Sequence, residues 1–113
     1  MSDLIINPVL SLSGIVSLPG SKSISNRSLL LAAIANGTTE IINLLDSEDT
    51  TLMLKALIEL GIQVEKIDAN RLILEGASGP LPAKEKQYML DLGLAGTALR
   101  PLTAALTLGK GLF

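Results

Sequence analysis

LPGSKSISNRSLLLAAIANG, from Leu18 to Gly37, changes character twice within twenty residues. From about Ser23 to Asn36 it is rich in Leu and Ala with little β-branched crowding, and Gly37 stands where a helix ends in the left-handed region, so the stretch predicts a helix. Leu29 to Ala35 (LLLAAIA) leave no polar face, and a helix apolar all round is expected to be enclosed by other elements. Its start is different. Lys22 and Arg27 stand at the end where unpaired backbone N–H groups already make a positive pole, although cations gain at the opposite end. Gly20-Ser21-Lys22-Ser23 therefore supports an anion site: the glycine lets a ligand approach the backbone, and N–H groups, hydroxyls and the ammonium donate. Arg27, one turn on, can hold a carboxylate by two parallel bonds. The plainer alternative stays open, in which Ser21 or Ser23 only caps the helix while Lys22 and Arg27 sit in solvent or pair with Glu48 or Asp49. A nucleotide P-loop is excluded, because that motif puts Lys directly after its second Gly and here Ser21 intervenes.

Working outward, Leu4 to Val9 and Gly14 to Leu18 read as two short strands before the helix, and Thr38 to Leu45 (TTEIINLL) as a strand after it. Asp46-Ser47-Glu48-Asp49 supplies a cap and an acidic first turn for a second helix ending at Gly61, with Met53, Leu57 and Leu60 on one stripe. Ile62 to Ile67 and Arg71 to Glu75 read as a hairpin around Asp68-Ala69-Asn70. The order is β-α-β-α-β-β. Gly76 to Lys86 reads as a connector, Tyr88 to Leu92 as a weak strand, and LGLAGTALRPLTAALTLGKG as a small-residue turn opening another Leu/Ala helix. Superposing Arg100 on Arg27 aligns the loops before them, the helices after them and the glycines Gly37 and Gly109. That period, roughly seventy residues, exceeds the usual solenoid repeats and favours duplicated α/β subdomains. The predicted division is 1–19 as N-terminal strands, 20–86 as a first βαβαββ subdomain and 87–113 as the start of a second. The chain is expected to be truncated there, leaving its last helix with an unpartnered apolar surface.

The totals narrow the functions. The 113 residues are 48% hydrophobic, enough for one compact core, and carry a net charge of −2. With acids and bases well mixed and Tyr88 and Phe113 the only aromatics, nothing favours nucleic acid. Without Cys or His there is no disulfide, thiol chemistry, imidazole base or ordinary zinc site, so no metal is expected and acid–base work falls to Lys, Asp, Glu or Tyr. No apolar run is long enough to span a bilayer, and a soluble, cytoplasmic protein is expected.

LPGSKSxSNRxLLLAA, NLLDSED and LxLGxAGTAxRPLxAAL, in that order and spacing, resemble the N-terminal part of the 5-enolpyruvylshikimate-3-phosphate synthase (3-phosphoshikimate 1-carboxyvinyltransferase) family. The resemblance spans essentially the whole chain and about a quarter of a full member. It implies a mixed α/β (α+β) fold, the βαβαββ subdomain repeat of the inside-out α/β barrel of enolpyruvyl transferases, with residues 1–19 packing on the other domain. It implies transfer of the carboxyvinyl group of phosphoenolpyruvate to the 5-hydroxyl of shikimate 3-phosphate, releasing phosphate on the route to chorismate and aromatic amino acids. Neither metal nor organic cofactor takes part, and the parent enzyme is expected to be a monomer.

Carried over by position, the resemblance implies that Lys22 is shared between the two substrates and that Ser23 and Arg27 bind shikimate 3-phosphate. Gly96 lies beside phosphoenolpyruvate, where a missing side chain leaves room for it and for the herbicide glyphosate, while Thr97 and Pro101 shape that pocket. Arg100 is either a second anion ligand or, the favoured reading, a structural residue paired with a carboxylate. Asp49 is either an acid near the cleft or a favourable charge in a helix first turn. One position departs: the family pattern is Asn-Ala-Gly-Thr and this chain has Leu94-Ala95-Gly96-Thr97. Asn hydrogen-bonds in turns and tolerates the left-handed region, and Leu does neither well, so the phosphoenolpyruvate side is expected to be altered. The resemblance also puts the catalytic carboxylates mostly in the other domain, so no complete catalytic set is expected here and the chain alone is expected to be inactive. Two other functions remain: a non-catalytic anion-binding subdomain or remnant, and the sister transferase acting on UDP-N-acetylglucosamine, which the GSKS segment with Arg27 disfavours.

Overall fold

Residues 2–84 and 87–113 are described by a computed structural model; residue 1 and the last two residues of the expected connector, 85 and 86, lie outside them. The elements run α1 (Lys22–Ile34), β1 (Thr38–Ile42), α2 (Glu48–Glu59), β2 (Gln63–Asp68), β3 (Arg71–Glu75) and α3 (Gly96–Leu106). The strands form one antiparallel sheet in the order β1-β3-β2. β3 is central because the β2–β3 hairpin turns tightly at Ala69-Asn70, and β1 then pairs with its free edge, Glu40 opposite Ile73.

The hairpin and both sheet helices follow the sequence closely. Ser47 caps α2 in a capping box with Thr50, whose hydroxyl also donates to the Leu45 carbonyl at 2.7 Å. Leu72 and Leu74 of β3 are buried together with Met53 and Leu57 of α2, its C-cap Leu60 and Leu29 of α1, and these fully buried side chains make the core. α3 lies against α1 and α2, burying Ala98, Leu102 and Ala105.

Several expectations fail for identifiable reasons. Residues 2–19 form no strand: a strand needs a hydrogen-bonding neighbour, and nothing among the described residues lies beside this segment, whose nine large apolar side chains from Leu4 to Leu18 are all exposed. That extended stretch explains a radius of gyration of 18.0 Å, where a compact chain of this length has about 13 Å. α1 is not enclosed on every side, since Ile24 and Leu31 are more than 60% exposed. β1 stops at Ile42 instead of Leu45, because Asn43 takes a left-handed φ of 60° and turns Leu44 into the core. Residues 88–92 form no strand either: the Tyr88 N–H bonds to the Leu112 carbonyl beside an isolated Gln87–Leu112 bridge, and no ladder continues from it among the described residues. α3 ends at Leu106, three residues before Gly109.

Candidate functional site

The β1–α2 connection positions the start of α1. Gly20 packs so tightly beneath it that a Cβ there would come within 2.8 Å of the Leu45 nitrogen and closer still to the Asn43 carbonyl. Ser25, buried one turn into α1, accepts the Leu45 N–H at 3.0 Å. Ser21 is the N-cap, its Oγ accepting from Ile24 N–H at 3.5 Å, which leaves the Lys22 and Ser23 N–H groups without an acceptor among the described residues. The chain enters α3 through Gly93, which takes the left-handed φ of 53°. The turn therefore does not need a left-handed residue at position 94, and the backbone part of the expected difficulty with Leu94 does not arise. What Leu94 changes is the surface: a fully exposed apolar side chain stands where a polar one would offer hydrogen bonds.

Between the starts of α1, α2 and α3 lies an open cleft of about 500 Å³ lined by Lys22, Ser23, Arg27, Asp49, Leu94, Gly96, Thr97, Arg100 and Pro101. Every site residue implied by the resemblance thus borders one cavity, although residues 23 and 97 are far apart in the chain; Gly20 and Ser21 do not line it. Lys22, Arg27 and Arg100 line it together with a single carboxylate, that of Asp49, which gives a net charge of +2. An apolar groove of about 560 Å³ on the far side of α3, between Leu99, Leu102, Leu106 and Phe113, has no charged lining residue and offers no comparable chemistry.

The two readings of the basic helix start each hold for one residue. Lys22 Nζ pairs with Asp49 Oδ2 at 3.2 Å, whereas Arg27 is exposed and has no carboxylate partner among the described residues. The Lys22 side chain is 51% exposed, and an ion pair in such a setting contributes only about 0–1 kcal/mol, so an incoming anion can compete for the ammonium. The favoured reading of Arg100 is corrected: it is exposed, and although it borders the same cleft as Asp49 it forms no ion pair among the described residues, the Asp49 carboxylate being paired with Lys22. Asp49 satisfies both of its readings, as the second residue of α2 and as the cleft's one acid. Gly96 has no atom within 4 Å of where a Cβ would stand, so no described residue demands glycine there and the space faces the cleft. Pro101 inside α3 removes the helical hydrogen bond to the Thr97 carbonyl.

One residue escaped the sequence reading. Asn26 is fully buried, and its Nδ2 donates to Thr97 Oγ1 at 2.8 Å, while Thr97 Oγ1–H in turn donates to Asp49 Oδ2 at 3.4 Å. The signal was present in the spacing: Ser25 and Asn26 extend the inward stripe of Leu29, Leu30 and Ala33 by one turn, and polar residues on an apolar stripe are there to bond.

Comparison with known proteins identifies the family of the chain. A family model described as EPSP synthase (3-phosphoshikimate 1-carboxyvinyltransferase) matches residues 6–113. Proteins named 3-phosphoshikimate 1-carboxyvinyltransferase from Shewanella halifaxensis and Vibrio vulnificus are 52% and 53% identical over all of this chain and 26% of their own length. The chloroplastic protein of that name from Brassica napus is 49% identical over 97% of this chain and 22% of its own. The solved EPSP synthase from Acinetobacter baumannii superposes with a TM-score of 0.73 at 31% identity, over 82% of this chain and 21% of that one. The chain spans about a quarter of the length of the curated relatives it matches.

Proposed function

Because this chain belongs to the EPSP synthase family, we propose that it supplies one wall of the substrate cleft of an enolpyruvyl transferase. The proposed reaction moves the carboxyvinyl group of phosphoenolpyruvate to the 5-hydroxyl of shikimate 3-phosphate and releases phosphate. One observation carries this reading: three cations and the free helix N–H groups of Lys22, Ser23 and Thr97 border a single cleft with a net charge of +2. Both proposed substrates are multiply charged anions of a size such a cleft admits. In this assignment Ser23 and Arg27 hold the shikimate phosphate, Lys22 is shared between the substrates, and the open space at Gly96 faces phosphoenolpyruvate or the herbicide glyphosate. Thr97, Arg100 and Pro101 shape that side. Residues 1–19 then pack on the other domain, 20–86 form a first subdomain and 87–113 begin a second. The cytoplasm is the proposed compartment and a monomer the proposed state of the complete enzyme; among the described residues no helix is long and apolar enough to cross a membrane.

Chemistry needs a base for the 5-hydroxyl and an acid for the methylene carbon, each within hydrogen-bond reach of its proton. Asp49 is the only carboxylate lining the cleft, and it is engaged by Lys22 and Thr97. The chain is therefore expected to bind without turning over. Titrating shikimate 3-phosphate into the labelled chain should move amide signals at Lys22 to Arg27 first, and an unresponsive α1 start overturns the reading. Phosphate release from the two substrates should not exceed the blank.

A further inference from the structure

We propose that Asn26 is a positioning residue for this cleft, its buried side-chain amide acting through the Thr97 hydroxyl to set the place of Asp49 and, with it, of the Lys22 ammonium. The inference rests on the anion-binding reading above and adds a residue that does not line the cleft. Each bond in the link has one possible direction. A carboxylate only accepts, so the single Thr97 proton goes to Asp49 Oδ2, and Thr97 Oγ1 is left to accept from Asn26. Asn26 must then present Nδ2, since with Oδ1 turned toward Thr97 two acceptors would compete for one proton. That orientation leaves Asn26 Oδ1 buried without a partner. An apolar side chain of like size would pack α1 without such an unpaired acceptor, so fold stability alone does not account for an amide here. What the amide does provide is a bond from the middle of α1 to the start of α3, continued to the start of α2 and back to Lys22 through its 3.2 Å ion pair. The three helix starts that border the cleft are held together by this closed circuit of side chains.

The test uses the whole 113-residue chain with labelled carboxyl carbons and inorganic phosphate as the probe. Thr97→Val removes the hydroxyl at nearly constant shape, Thr97→Ser keeps it, and Asn26→Leu removes the amide. Thr97→Val and Asn26→Leu should each shift the Asp49 carboxyl signal in the phosphate-free protein and weaken phosphate binding roughly two- to three-fold, the loss of one long hydrogen bond at the lower end of the usual range. Thr97→Ser should recover the signal and most of the affinity. Asn26→Leu should do this with no fall in the thermal midpoint, because the unpaired oxygen goes with the amide. If the Asp49 signal in either folded variant coincides with the unsubstituted chain, or if the variants only lower the midpoint, the link is overturned. A chain that ignores phosphate while its Asp49 signal follows Thr97 breaks the functional reading and leaves the link standing.

Discussion

At the start of α1, Ser21 caps the helix with its own hydroxyl, Gly20 is wedged under the backbone of residues 43–45, and two N–H groups face outward. At the start of α3, Ala95 has no capping side chain and Gly96 N–H turns back to the Leu94 carbonyl at 2.9 Å, leaving only the Thr97 N–H free. Both starts border one cleft and both carry an arginine one turn in. The first is built from local chemistry on a packed support. The second is a bare helix end held by core packing at Ala98 and Leu102 and by the Thr97 bonds. One half of the site thus combines a local cap with a backbone wedge, and the other half depends on core packing and the Thr97 bonds alone.

Breaking the supports should expose that difference. Leu29→Ala, in the core shared by sheet and helices, should lower stability by about 4 kcal/mol in urea unfolding, a large part of what a domain this size has. Leu102→Ala should reach about 3 kcal/mol and raise hydrogen exchange in residues 96–106 well before it rises in α1. Equal acceleration in both helices would remove the proposed asymmetry. Gly20→Ala forces a methyl group into backbone atoms that cannot swing aside, and an expected loss of about 2 kcal/mol would mark the wedge as the support of α1. Arg27→Ala separates support from function. The side chain is exposed and unpaired among the described residues, so stability should stay within about 0.5 kcal/mol while affinity for shikimate 3-phosphate falls about ten-fold. The smallest effect sharpens the comparison from the other side: Ala95→Ser offers the Thr97 N–H an acceptor, but Ala95 is only 2% exposed, so cap and buried hydroxyl should nearly cancel and stability should stay within about 0.5 kcal/mol, read with hydrogen exchange at residues 96–99.

Local chemistry was legible wherever it acts over a few residues. The helix cores, the cap at Ser47 and the hairpin at Ala69-Asn70 follow from spacing and turn residues, and the basic start of α1, read from the sequence as a candidate anion site, borders the cleft. The resemblance of three motifs then named the family. Sequence also suggested strands at residues 4–18 and 88–92 that do not form, because alternation describes a face and cannot supply the neighbour that a ladder needs.

Only the tertiary structure decided which charges are engaged. Lys22 and Arg27 look alike in the sequence, yet one is paired with Asp49 and the other is not, since a 3.2 Å contact depends on how α2 is placed against α1. Arg100 turned out to be unpaired among the described residues, and Asn26 found its partner in Thr97, for the same reason: spacing can mark a residue as inward-facing, but a contact spanning 71 residues is not written locally. Propensity and capping act through the nearest few residues, so they are written in order along the chain. Charge pairing and burial act through space, and the meeting of three helix ends over one cleft is set by the packing of Leu29, Met53, Leu57 and Leu102 between them.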